Sequence, residues 1–489
     1  MKKITRRFLY TLAVLAVLYF LLMIPGGESK SPVSPGADAF AWKRDTLWQQ
    51  LEHTFREAGQ QTPAQLDSAI NVLQAVAEKQ LQVLQTSVPS AKDSAWLLVG
   101  DTYFALAPLI ARKNDRLQWY LDYYNRVRKL LKERSSQWDI TDASVKNCLY
   151  TLNYGMRAAA EEVMLQNKAQ KIDPVLLVDS VPSATPSATI FGITVHSGDM
   201  FVSRGGAEVS ALISRGNDYP GNFSHVALLY VDSATKKPWL IEAHIEKGVA
   251  IASAEEYIRD QKLRFMVLRL RPGLPVMQAD PMLPHKVGGY MFGKAERKHI
   301  PYDFKMDFYD SSALFCSEVA SFGYKKYGVS LWQSGSTISS PGVVNWLHSF
   351  GVEHFVTQMP SDLEYDPQLS VVGEWRDPET LYKDHIDNAV MDAMLEKANS
   401  GTKIGYNIWK LPLVRVVKGY CMIKNAFGKV GLIPEGMSAT TALRNQTFVA
   451  MHVNAKKKTL DMADAFIKEN GYRPPYWQLV KFAEKALND

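Results

Sequence analysis

The sequence predicts an α+β molecule, with a β-rich central region flanked by helical regions on both sides. Three observations carry this expectation. From Trp42 to about Lys171 the apolar residues recur at helical spacing. After a Pro/Ser-rich stretch at residues 181–188, the pattern changes to short Val-, Ile- and Phe-rich runs separated by turn residues. Beyond about Asp377 the chain reads as helical again. At 489 residues, with 46% hydrophobic and 22% charged positions, the chain is globular in composition and too long for one ordinary core.

The amino end stands apart. Lys2, Lys3, Arg6 and Arg7 precede an apolar run over residues 8–24, closed by Pro25-Gly26-Gly27. That run is long for the apolar core of a signal peptide and just long enough for a short membrane span. No Ala-x-Ala site directly follows it. Residues 1–27 are therefore expected to be an uncleaved anchor rather than a removed signal. The basic flank places the amino end in the cytoplasm. The expected location is thus the cytoplasmic membrane, with a single N-terminal span and the bulk of the chain outside, in the periplasm. Residues 28–40, with two Ser-Pro-type breaks and Gly36, read as a tether.

Residues 41–175 are expected to form a helical bundle. Thr62-Pro63 looks like an N-cap followed by proline at the first helical position. Leu66, Ile70, Leu73, Val76, Leu81 and Leu84 then follow one helix face. Pro89-Ser90 separates that helix from one carrying Trp96, Leu97, Tyr103 and Leu106. A third runs through Trp119, Tyr123, Val127 and Leu130, and a fourth starts near Thr141. No chemical motif is visible here, and the aromatic positions read as core. Residues 176–190 are assigned as a linker.

In the central region, 191–376, strands are expected at residues 199–203, 225–231, 240–245 and 265–269. A helix is expected at residues 316–326, with Phe315, Val319 and Phe322 on one stripe. Cys316, Ala320 and Gly323 form a second stripe of small residues, which predicts close packing of this helix on the sheet. Residues 377–489 form the helical C-terminal region. Within it, residues 400–430 contain Lys403, Lys410, Arg415, Lys418, Lys424 and Lys429 and no acid, interleaved with Trp409, Leu411, Leu413 and Val416. That composition allows a contact with anionic lipid, but polar and apolar residues do not separate by helical period, which favours a packed helix pair with solvated lysines.

Charge excludes one class of partner. Of the formal +6, four charges belong to residues 2–7, which leaves about +2 for the remainder and no electrostatic footprint for nucleic acid. Three cysteines, Cys148, Cys316 and Cys421, are too few for a disulfide scaffold. Pairing of Cys148 with Cys421 would leave Cys316 free, but nothing in the sequence pairs them.

Cys316 at a helix start and His225 on a strand are the two parts of a thiolate nucleophile. An ordinary thiol, with a pKa of about 8.5, is mostly protonated at neutral pH. An imidazole partner and a helix N-terminus both favour the thiolate. Five segments then occur in a telling order: Ser197-Gly198-Asp199-Met200-Phe201, Ser224-His225-Val226-Ala227-Leu228, Ile241-Glu242-Ala243 with Gly248-Val249, Tyr302-Asp303, and Phe315-Cys316-Ser317-Glu318. Together they resemble the permuted papain-like hydrolases of the YiiX type, relatives of the NlpC-type cell-wall peptidases, over about residues 190–375. The resemblance implies an antiparallel sheet packed on a cysteine-bearing helix.

It further implies that Cys316 is the nucleophile, His225 the general base and Glu242 the residue that orients the imidazole. Glu242, His244 and Glu246 alternate with Ile241, Ala243 and Ile245, so the polar set shares a strand face. His244 is the rival orienting residue, and Glu242 is preferred because a carboxylate also compensates an imidazolium. The backbone N–H of Cys316, with Tyr302 as an auxiliary donor, would meet an oxyanion. Gly198 and Asp199 read as structural. Glu318 is expected to point away from Cys316 and serve locally. A metal site of Glu242, His244 and Glu246 lacks any supporting ligand spacing, so neither a metal nor another cofactor is expected.

The expected activity is that of an anchored cysteine hydrolase acting outside the cytoplasm. It would cleave an amide or ester, in a cell-wall peptide or a lipid-linked acyl group, through an acyl-enzyme. The expected partners are that substrate and the membrane, held through residues 8–24 and through the basic segment 400–430. Two alternatives use the same residues: an acyltransferase, and an envelope scaffold that binds without turnover.

Overall fold

Strand-forming runs from distant parts of the chain assemble one antiparallel sheet. The computed structural model describes residues 2–25, 32–42, 45–167, 172–260 and 262–488. Gly26, Gly27, the first part of the tether, Lys171 and the side chains of Lys2, Lys3 and Arg6 lie outside the described residues. Among the described residues the sheet has seven strands. Their order is Val175–Leu177, Leu369–Trp375, Lys262–Leu270, Met200–Gly205, His225–Val231, Pro238–His244 and Gly248–Ser253. Every neighbouring pair is antiparallel. The four strands expected from the sequence are its middle members. Two of the other three escape a pattern reading for physical reasons. Leu369–Trp375 loses its alternation at a bulge between Val371 and Gly373, and Val175–Leu177 is only three residues long.

Two layers cover the sheet. Val226, Leu228, Ile241 and Ala243 face the helices Leu283–Arg297 and Cys316–Lys326, meeting Val287, Met291, Val319 and Ala320. On the opposite face Ala227, Leu229, Leu240 and Phe265 pack under the hairpin of Ser187–Ile190 and Ile193–His196, and against Tyr257. Lys262–Leu270 is buried along its whole length, as a strand covered on both sides must be. The small-residue stripe of the cysteine helix has a different partner at its far end than the sequence predicts. A Cβ on Gly323 would lie 2.8 Å from Met291 Cγ, so this glycine admits the neighbouring helix rather than the sheet.

The entry to the first long strand is fixed sterically and electrostatically. Gly198 has φ +94°, and a Cβ there would lie 2.2 Å from Pro284 Cβ. Asp199 next to it holds Arg269 through two bonds of 2.8 and 2.7 Å and accepts the His196 N–H at 2.7 Å.

The amino-terminal helices are Asp45–Ala58, Pro63–Thr86, Ser94–Arg112, Leu117–Ser135, Ala143–Tyr150 and Met156–Gln166. Thr62 caps the second of them in a capping box with Gln65. Leu66, Ile70, Leu81 and Leu84 are buried as expected, whereas Val76 and Leu97 are exposed because the bundle covers a narrower arc. Buried ion pairs tie this bundle to the sheet. Arg157 binds Glu364 at 2.8 and 2.9 Å, Arg264 binds Glu161 at 2.6 Å and Asp384 at 2.7 Å, and Arg128 meets Glu374.

Asp377 caps the helix Pro378–Asn399, which opens the carboxy-terminal region, followed by Leu411–Ala426, Ala439–Asn470 and Tyr476–Asn488. Among the described residues one helix is long and apolar enough to cross a membrane, Ser94–Arg112, and most of it is buried in the bundle as a core helix. The helix Lys2–Met23 contains a shorter apolar stretch, Leu9–Met23. It lies against Leu411–Ala426, where the Tyr19 hydroxyl donates to the Trp409 carbonyl at 2.8 Å and Arg415 to the Leu22 carbonyl at 2.9 Å. All three cysteines are free.

Candidate active site

Three polar groups meet at one end of the sheet. His225 is the first residue of its strand, His244 the last of the next, and Cys316 the first of its helix. The register Ala227↔Glu242 brings the two histidine rings to 5.5 Å, with Glu242 one pleat further in. Glu242 is 3% exposed and bridges both imidazoles: His225 Nε2 lies 2.7 Å from Oε2, and His244 Nε2 lies 3.0 Å from Oε1. Glu242 and His244, the rivals for the orienting role, are therefore linked to each other. Only Glu242 has a direct bond to His225 among the described residues. Glu246 falls in the turn beyond the strand.

Both titrations in this pair are shifted down, which favours a charged Glu242 and a neutral His225. Burial would raise the Glu242 carboxyl, but its two imidazole partners outweigh that and hold it well below the usual carboxylate range. Burial lowers the His225 imidazole, against the pull of Glu242. A neutral His225 bonded through Nε2 to a carboxylate keeps Nδ1 as the acceptor nitrogen, which is what a general base needs.

The thiol of Cys316 is buried at the helix start. Its Sγ donates to the Ser224 carbonyl at 3.7 Å, and it lies beside the backbone of Val226. It is thus held against the residues on either side of His225. Strand alternation places the His225 and Glu242 side chains with Ala227 and Leu240, on the face opposite the cysteine helix. The route between thiol and imidazole therefore runs around the strand end at residue 225, not through the sheet. The sequence favours a thiolate, but in the resting site burial pushes the Cys316 thiol up to about 11, and N–H donors from Val226 and Ser317 only partly offset this.

Two neighbours complete the surroundings. Tyr302 is half-buried and packs on Phe304 with ring centroids 5.1 Å apart. Burial, with Cys316 nearby, raises its hydroxyl well above the ordinary value, so it stays a proton donor. Glu318 turns back to accept the Phe315 N–H at 2.9 Å, a capping contact at the helix start. Burial and nearby Asp303, Asp307 and Asp310 push its carboxyl up to about 9.

His225, Glu242 and His244 also offer ligand atoms within 4.8 Å of one another, a spacing that a metal ion accepts. The set differs from the Glu242, His244 and Glu246 trio considered from sequence, because Glu246 lies outside the strand. Both imidazoles are here bonded to the carboxylate, so an ion would have to displace those bonds.

No curated protein matches the chain. Residues 194–373 match the model of a family described as a permuted papain-like amidase enzyme, YaeF/YiiX. The matched stretch runs from the sheet's entry to the Leu369–Trp375 strand and contains every site residue named above. Over residues 194–373 this chain is thus similar to the permuted papain-like amidases, a family of hydrolases.

Proposed function

We propose that the protein is a membrane-anchored cysteine amidase working outside the cytoplasm, with Cys316 as nucleophile, His225 as general base and Glu242 as the orienting carboxylate. The observation that carries this reading is the buried Glu242 bonded to His225 at the strand end where the Ser224 carbonyl holds the Cys316 thiol. The Cys316 side chain turns from the Ser224 carbonyl toward Nδ1 of His225, which takes its proton. The sulfur attacks the substrate carbonyl, and the developing oxyanion meets the first N–H groups of the helix Cys316–Lys326 and the Tyr302 hydroxyl. His225 then protonates the leaving amine or alcohol as the carbonyl re-forms. Water, deprotonated by His225, adds to the thioester, and collapse releases the acid and returns the thiol.

One exposed surface supports a substrate class. Trp409, Leu413, Val416, Ile423, Phe427 and Leu432 are exposed, with Lys410, Lys424 and Lys429 among them, beside the apolar amino-terminal helix. This surface reaches toward the thiol through a short series of contacts. Lys418 donates to the carbonyls of Pro434 and Glu435 at 2.7 and 2.8 Å, and Glu435 meets His299 at 3.0 Å. A Cβ on Gly436 would lie 2.3 Å from the ring of Phe304, which packs on Tyr302. A lipid-linked amide or ester presented at the bilayer surface fits this arrangement better than a soluble cell-wall peptide.

Turnover by the Cys316→Ser protein tests the reading. Hydrolysis of acylated amines and esters is expected to fall by about 10³-fold or more, with unchanged circular dichroism. Retained hydrolysis would remove Cys316 from the mechanism, and unchanged function in cells would favour a binding scaffold.

A further inference from the structure

A second cavity, of about 530 Å³, lies between the amino-terminal helices and the last helix of the chain, and neither Cys316, His225 nor Glu242 lines it. Its size is that of a small-molecule site, typically about 300–1,000 Å³. The wall is aromatic: Trp42, Trp48, Phe104, Tyr154, Tyr476 and Trp477 contribute rings. Trp48 stacks on Trp477 with centroids 6.1 Å apart, and Trp42 stands edge-on to Trp48 at 5.9 Å. Residues that read from sequence as bundle core thus enclose space.

Carboxylates predominate among the polar groups in this wall. Glu52 accepts from Trp477 Nε1 at 2.9 Å and from the Tyr472 hydroxyl at 3.3 Å, and Glu162 accepts the Tyr476 N–H at 2.9 Å. Neither has a lysine or arginine ion-pair partner among the described residues. Among the described residues the one guanidinium in the wall, Arg215, is bound through two nitrogens to Asp392 at 2.7 and 2.8 Å. Lys481 is exposed at the rim, and His385 lies between Glu161 at 3.4 Å and Glu162 at 3.7 Å. Gln166, also in the wall, has a buried Oε1 with no hydrogen-bond partner. Carboxylates, a spare carbonyl and the faces of several rings attract a positive charge and repel an anion.

We propose that this cavity binds a small amphiphilic cation, an alkyl- or arylamine in protonated or quaternary form. Its ammonium group meets Glu162, Glu52 and the ring faces, and its apolar part lies along Ala158, Ala159 and Val480. The site is separate from the hydrolytic one and does not depend on it.

The test uses the full chain in lipid nanodiscs, with octyltrimethylammonium, octanoate and octanol as probes, read by tryptophan fluorescence and calorimetry against empty nanodiscs. Saturable binding of the cation is expected, at least about tenfold tighter than that of the anion or the alcohol. Glu162→Gln should weaken it about tenfold. Ala159→Phe, which fills the cavity, should abolish it while alkylation of Cys316 is unchanged. Equal binding of the three probes, preference for octanoate, or cation binding that survives Ala159→Phe would overturn the proposal. So would loss of binding on blocking Cys316 alone, which would locate the ligand in the hydrolytic site.

Discussion

Two buried carboxylates of the candidate site sit in opposite states of charge. Glu242 is held ionised by two imidazoles, whereas Glu318, surrounded by Asp303, Asp307 and Asp310, is raised to about 9 and is neutral at pH 7. Isosteric amides should therefore separate them. Glu242→Gln removes the charge that orients and compensates His225, and kcat should fall by about 10²–10⁴-fold. Glu318→Gln keeps an acceptor for the Phe315 N–H and should leave kcat within about threefold, in the same steady-state assay. The signs also fix a pH response. Because the thiol is raised to about 11 in the resting site, its alkylation rate should keep climbing from pH 7 through pH 10. A plateau reached below pH 8 would mean that His225 already holds the thiol proton. For Glu242 the depressed carboxyl stabilises the fold above its unfolded value of about 4.3, and that contribution is lost as pH falls toward its folded value. Cys316, His225 and Glu242 are legible as candidates because their residue types and order are features of the sequence itself. The raised thiol is not, since burial is a property of the packed site.

At the scale of elements, the cysteine helix and the strands His225–Val231 and Pro238–His244 could be read from periodicity. Leu369–Trp375 could not, since its bulge breaks the pattern, and neither could the partner of Gly323, which is set by tertiary packing. The joint between the bundle and the sheet was equally hidden. It consists of charges on segments far apart in sequence: Arg157, Glu161, Arg264, Glu364 and Asp384. Glu161 is 1% exposed and serves both Arg157 and Arg264. Glu161→Ala leaves two buried guanidinium groups short of a partner, so stability should fall by about 3–5 kcal/mol in urea unfolding. A loss under about 1 kcal/mol would mean that water or relaxation replaces the carboxylate.

At the scale of the whole molecule, the apolar amino-terminal helix and the helix Leu411–Ala426 form one exposed surface carrying lysines. The composition of residues 400–430 allowed both a lipid contact and a packed pair. Only the fold shows Trp409, Leu413 and Phe427 facing outward, because helical period alone does not separate their faces from the lysines. A protein lacking residues 1–27 should still bind vesicles containing anionic lipid and release them as salt is raised. Trp409→Ala combined with Phe427→Ala should weaken that binding by about tenfold, measured by co-sedimentation.

The most direct measurement of the central claim is the mass of the intact protein, and of its Cys316 peptide, after mixing with p-nitrophenyl octanoate. An octanoyl adduct on Cys316 that turns over in the wild type, persists in His225→Ala and is absent in Cys316→Ala is the predicted result. Hydrolysis of the ester by Cys316→Ala at the wild-type rate, or an adduct on any other residue, would contradict it.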